Sequence, residues 1–139
     1  MTERTFMMIK PDGVKRAKIG EIIKRIENKG YHITKMKMVL PDETLLAQHY
    51  AEHVGKSFYP SLLRYMTSGP VIAMVGEGTN IVAGWRTLMG TTNPTKAAPG
   101  TIRGDLGREW DVEAMMNIVH GSDSVEAAER EIALWFDED

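Results

Sequence analysis

Cysteine is absent from this chain, which removes disulfides, thiolate nucleophiles and cysteine-built zinc sites from consideration. Also missing is any apolar run long enough to span a bilayer, and no basic segment backed by an apolar stretch resembles a secretory signal. A cytoplasmic setting with no membrane partner is the resulting expectation. Net charge is small: 17 basic against 19 acidic side chains leave −2, too little positive charge for a face that coats nucleic acid. No low-complexity tract, repeat or linker divides the sequence, so one domain over 1–139 is expected. The phosphate-binding pattern GxxxxGK[ST] does not occur, nor does a kinase-type Gly-rich loop ahead of a VAIK-like lysine.

What is present reads as alternating strands and helices. Arg4 to Lys10 (RTFMMIK) is a short apolar run stopped by Pro11, as in a buried strand. Ile19, Ile22, Ile23 and Ile26 recur at helical spacing before Gly30. Tyr31 to Leu40 alternates as a second strand. Two helical stretches follow, Glu43 to His53 and Ser57 to Thr67, the latter with Phe58, Leu62, Tyr65 and Met66 on one face. Val71 to Val75 reads as a central strand and Asn80 to Met89 as a helix. Between Gly90 and Met115 the periodicity fades into a long loop, with one short helical turn expected near Asp111 to Met116. A short strand ends near His120, and Ser124 to Trp135 is helical. The ten methionines read as core filler, and Asp137 to Asp139 as a solvated end. The order predicts an α+β, ferredoxin-like βαββαβ fold: a four-stranded antiparallel sheet, helices packed on one face, and a long loop before the last strand.

His120 stands at the end of an apolar run, ahead of Gly121, Ser122, Asp123 and Ser124 (NIVHGSDS). Any of the three small polar residues suits a helix N-cap, with Glu126 completing a capping-box pattern after Asp123. The imidazole would then lie near a positive helix end, where an anion is favoured and the imidazolium is not. Gly121 would let backbone approach a ligand closely. On this stretch alone a histidine satisfied within the fold is an equal reading. Three further features add weight to an anion site: Lys10 in KPDG, Arg86 with Thr92 beyond it, and Arg103 in PGTIRGD. Each is an ordinary surface cation alone; together they form a set able to clamp phosphates.

The stretches KPDG, TNPTKAAPGTIRGD and NIVHGSDSVEAAEREI, in this order along the chain, closely resemble nucleoside diphosphate kinase, over about Arg4 to Phe136. The resemblance implies a ping-pong transfer of the γ-phosphate from a nucleoside triphosphate to a nucleoside diphosphate, carried as a phosphohistidine on His120. It further implies that Lys10, Arg86, Thr92 and Arg103 hold phosphates and that Asn117 contacts the sugar. Phe58 matches the aromatic that stacks on the base, although a core phenylalanine fits its spacing equally. Glu131 matches the carboxylate that orients the histidine, Ser122 a hydroxyl supporting Glu131, and Tyr50 a tyrosine near the phosphate. For Ser122 and Tyr50, capping and helix packing remain open alternatives. Mg2+ is implied on the nucleotide phosphates, not in a protein cage, and no residue is assigned to a metal. Partners implied are nucleoside di- and triphosphates and further copies of the chain, as a hexamer or tetramer; no nucleic acid is expected. The segment between Arg103 and Asn117 looks a few residues longer than the family's common version and leaves the second base contact unassigned, with Val112 a candidate.

Two rival readings are worth carrying forward. His49-Tyr50-Ala51-Glu52-His53 matches HxxEH, in which histidines four apart share a helix face and bind zinc. A βαββαβ RNA binder would instead need an aromatic-rich central strand, and VIAMV at Val71 to Val75 has no aromatic.

Overall fold

The fold is built on the first apolar run. In the computed structural model, which describes residues 2–137, β1 (Thr2–Ile9) is flanked on both sides and Phe6, Met7, Met8 and Ile9 are all fully buried. Consecutive buried residues on a strand mean that both sheet faces are covered, since successive side chains point opposite ways. The remaining elements are α1 (Pro11–Lys15), α2 (Ile19–Asn28), β2 (His32–Val39), α3 (Glu43–His49), α4 (Tyr59–Met66), β3 (Val71–Thr79), α5 (Ile81–Met89), α6 (Ile102–Leu106), β4 (Val119–Gly121) and α7 (Val125–Phe136). Strand order is β2-β3-β1-β4, with every pair antiparallel, which is the ferredoxin-like arrangement.

Helices lie on both faces, not on one as expected. Met7, Ile9, Ile72 and Met74 pack with Ile22 and Ile26 of α2 and Ile81, Trp85 and Met89 of α5. Phe6, Met8, Ala73 and Val75 pack on the opposite face with Leu46 of α3, Tyr65 and Met66 of α4, and Ile132 and Trp135 of α7. The extra helical pieces are therefore the second layer of the core. Each such fully buried apolar side chain is worth roughly 1.5–3 kcal/mol.

Other boundaries moved for physical reasons. β3 runs four residues past Val75 because Gly76 to Thr79 pair with Thr2 to Thr5. Pro11, which stops the first strand, also opens α1, where its missing N–H costs nothing. The stretch expected as one helix to His53 ends at His49 and continues as turns. Within the long loop the helix is α6, capped by the Thr101 hydroxyl on the Gly104 N–H, and residues 111–116 form no helical turn. That segment is anchored from outside. Trp110 lies between Arg108 (4.2 Å) and Arg16 (5.5 Å), Glu113 pairs with Arg64 at 3.1 Å, and Ala114 and Met116 tuck against the core. Asp137 is exposed as expected; Glu138 and Asp139 lie outside the described residues. No helix is long and apolar enough to cross a membrane among the described residues. Helices cover β1 and β3 on both faces, whereas β2 stays largely exposed.

Candidate active site

Register explains where His120 points. It pairs with Met8 across β1–β4, so its side chain shares the face that carries α3 and α7. From α7, Glu131 reaches back to it: His120 Nε2 and Glu131 Oε1 are 2.9 Å apart, and the Ser122 hydroxyl donates to the same oxygen at 2.7 Å. A carboxylate facing Nε2 places the ring proton there and leaves Nδ1 with its lone pair. The His120 carbonyl accepts the Trp85 indole N–H at 3.1 Å, which ties the strand to α5. Gly121 answers to the same helix: a Cβ there would come within 2.5 Å of Trp85 and 2.7 Å of Met89. A glycine is thus required here by packing on α5.

Ser124, not Ser122 or Asp123, caps α7, accepting from the Ala127 N–H at 3.0 Å. Ser122 is thereby free for Glu131, and Asp123 pairs outward with Arg86.

His120 opens onto a cavity of about 640 Å3. Lys10, Tyr50, Arg86, Thr92, Arg103, Asn117 and Glu131 all contribute to its wall, so these expected residues from six separate segments meet in one place. Ser122 sits behind Glu131. Phe58 stands apart: it precedes α4, is 47% exposed, and meets the ring of His53, a cavity-lining residue, edge-on at 5.3 Å. Its exposure overturns the reading of a core phenylalanine.

The cations divide into two kinds. Lys10 and Arg103 are buried; Arg86 is exposed. Lys10 donates to the Asn117 side-chain carbonyl at 2.8 Å, and the Asn117 amide donates to the Thr92 carbonyl at 3.1 Å. Burial, with the Arg103 charge adding to it and Asp12 opposing, pulls the Lys10 ammonium down to about 7. Arg103 gives its guanidinium to three carbonyls, those of Asn117 (3.1 Å), Gly90 (3.0 Å) and Val119 (2.7 Å). Burial brings it down to about 10. Tyr50 keeps its proton, pushed up by burial and the Glu131 charge, and its buried hydroxyl has no hydrogen-bond partner among the described residues.

Residues outside the family motifs also shape the site. Ile118 carries φ of 72°, in the left-handed region that a β-branched residue rarely enters. It is the centre of a γ-turn in which the Val119 N–H reaches the Asn117 carbonyl at 2.7 Å, while its own carbonyl accepts the Lys10 N–H at 2.6 Å. Such strain, on the order of 1–3 kcal/mol, is held here by complete burial and sets the side chains of Lys10, Asn117 and His120 on one wall. Nothing in the residue type signals it. Arg130 of α7 and His49 of α3 also line the cavity. His49 packs against His120 with ring centres 4.6 Å apart, and its Nδ1 accepts the Trp135 indole N–H at 3.0 Å.

His49, His120 and Glu131 each offer an atom within 4.8 Å of the others. This is not the HxxEH site. His53 lies past the end of α3, so the two histidines share no helix face, and the indole holds the His49 proton on Nε2, where a metal would need a lone pair. Nor does this nitrogen-rich set suit Mg2+, which prefers oxygen ligands and retained water.

A family model described as nucleoside diphosphate kinase matches residues 3–139. The nucleoside diphosphate kinase of Mycobacterium avium (strain 104) is 56% identical over 137 residues, spanning 98% of this chain and 98% of its own length. That of Saccharomyces cerevisiae is 53% identical over 135 residues, 97% of this chain and 86% of its own. Among solved structures, a nucleoside diphosphate kinase from Halobacterium salinarum in complex with CDP superposes with a TM-score of 0.93 at 50% identity, covering 100% of this chain and 90% of that one. An apo nucleoside diphosphate kinase from Encephalitozoon cuniculi gives 0.92 at 46% identity, covering 99% and 90%.

Proposed function

The chain belongs to the nucleoside diphosphate kinase family and is a phosphotransferase acting between nucleoside tri- and diphosphates; from that premise we propose that the phosphoryl group travels by a ping-pong cycle on Nδ1 of His120. In the first half, Nδ1 forms a bond to the γ-phosphorus as the bond to the β-phosphate oxygen breaks, and the nucleoside diphosphate leaves. The ring becomes cationic at that moment, and the Glu131 carboxylate on Nε2 stabilises it. The second half runs the same step backward onto a new diphosphate.

Phosphoryl transfer asks the protein for positioning and charge, and the cavity wall offers both. Lys10, Arg86 and Arg103, with Thr92, are assigned to the phosphates, Asn117 to the sugar, and Phe58 to the base through its exposed face. Tyr50 is assigned as a donor to phosphate, since its hydroxyl has no partner among the described residues. Mg2+ fits on the nucleotide and not in the protein, because its ligands would be phosphate oxygens and water; when bound it neutralises phosphate charge.

Self-association belongs to the same proposal. β2 is an edge strand, and Met36 (54% exposed), Met38 (58%) and Leu40 (63%) form an apolar strip along it that a second copy would cover. Sedimentation of the wild type against Met38→Lys tests this, with a smaller species expected for the variant.

The observation that carries the mechanism is the Glu131 contact at Nε2, which leaves Nδ1 as the free nitrogen beside buried cations. Intact mass after brief incubation with MgATP tests it. Wild type should gain one acid-labile phosphoryl group that GDP removes, and His120→Ala should gain none while still folding and binding nucleotide. Normal exchange activity in His120→Ala would refute it.

A further inference from the structure

KPDG contributes more than its lysine. Asp12 lies in the first turn of α1 and is buried, with one carboxylate oxygen accepting a hydrogen bond from the Tyr65 hydroxyl and the other unpartnered among the described residues. Tyr65 comes from α4, and its ring centre is 6.0 Å from Lys10 Nζ, so one side chain touches both the acid and the cation. Lys10 and Arg103 spend their hydrogen bonds on neutral partners, an amide and three carbonyls. Neither stands in a salt bridge among the described residues. Two buried cations without a counter-charge would be costly.

We propose that Asp12, fixed by Tyr65, is the counter-charge of the phosphate clamp, a positioning residue that holds Lys10 and Arg103 in place before nucleotide arrives and opposes the phosphate once it is bound. This rests on the reading of those two cations as phosphate ligands. The dual action follows from Coulomb's law: an anion whose charge acts on both cations steadies them in the free protein, yet it repels the phosphates that bind them. Affinity is thereby limited, which favours release in an enzyme that must let nucleotide go twice in each cycle.

Lys10 is faced by Asp12 from α1, Tyr65 from α4 and Arg103 from α6, with His49, Tyr50 and His120 across the cavity. Asp12→Asn keeps the acceptor for Tyr65 and removes only the charge. Lys10 is followed directly, by carbon-13 NMR of its side-chain ε position in the full protein, with and without ADP. Its midpoint, about 7 in the wild type, should fall in Asp12→Asn, and ADP should bind several-fold more tightly below that midpoint. The pH limb of kcat/KM should move down with the NMR midpoint, which a merely structural role would not produce. Tyr65→Phe should shift the midpoint in the same direction by less, because Asp12 without its Tyr65 donor is held less firmly in place, and it carries the test if Asp12→Asn does not fold. An unmoved Lys10 midpoint in both variants, with ADP still raising it in the wild type, would overturn the role of Asp12 and leave the clamp intact. If ADP failed to move the wild-type midpoint, the clamp reading itself would fall.

Discussion

The floor and the rim of the cavity use the same residue types under opposite conditions. On the floor, Lys10, Arg103, Asn117 and Glu131 are buried, and each is hydrogen-bonded to the protein. At the rim, Arg86, Thr92 and Phe58 are exposed, and among the described residues Arg86 pairs with the still more exposed Asp123. Burial makes the floor groups few in conformation and strong in field, because a charge there is poorly screened. Exposure makes the rim groups adaptable and weak. Floor residues should therefore govern turnover, and rim residues capture.

The largest separation should come from Lys10→Gln. It removes a preorganised charge where charge redistributes in the transition state, so kcat should fall by about 10²–10³ with a smaller change in KM. A change confined to KM would place Lys10 with the rim. Next comes Glu131→Gln, which preserves shape but lets Nε2 meet a neutral amide. Phosphorylation of His120 should slow by roughly 10–10² in rapid-quench measurements, the ring having lost both its tautomer control and the anion that balances its positive charge.

The Lys10 environment also predicts a pH split. Because burial lowers its folded value to about 7, the free protein loses this charge as pH rises through 7, and kcat/KM should decline on that limb. In the complex, phosphates favour the ammonium, so the corresponding limb of kcat should lie at higher pH. Coincident limbs would mean that Lys10 does not face phosphate. Stability runs the other way: the unfolded chain binds this proton more tightly, so the contribution of Lys10 to stability improves from about pH 7 toward 10.5.

Floor and rim also differed in how far they could be read beforehand. The strand and helix order was legible because Ile19 to Ile26 and Tyr31 to Leu40 follow simple periods. The grouping of Lys10, Arg103, Asn117 and His120 was reached through motifs, not through spacing. Local sequence could not show how His120 meets Glu131, since that depends on the Met8–His120 register and on α7 covering the Met8 face. It gave no hint of Ile118, where tertiary burial overrides a residue type that argues against positive φ. α6 was missed because Gly104 sits within it, although Thr101 is a sound cap. The turn expected at 111–116 gave way to anchors at Trp110 and Glu113 that no period encodes.

At the rim the expected effects shrink. Phe58→Ala removes a stacking face worth about 1–3 kcal/mol per base, and it should raise KM for every nucleotide with kcat nearly unchanged. Asp123→Asn is the finest probe. It releases Arg86 from its exposed partner, so any gain in nucleotide capture should be only a few-fold, because an exposed pair is largely screened already. That gain should shrink between low salt and about 0.5 M, where the Debye length drops to only a few ångströms. Asp12→Asn, acting on the floor, should keep its effect across the same range. A salt-insensitive Asp123→Asn would show that Arg86 works in a drier setting than its exposure implies, and the division between floor and rim would have to be redrawn with Arg86 on the floor.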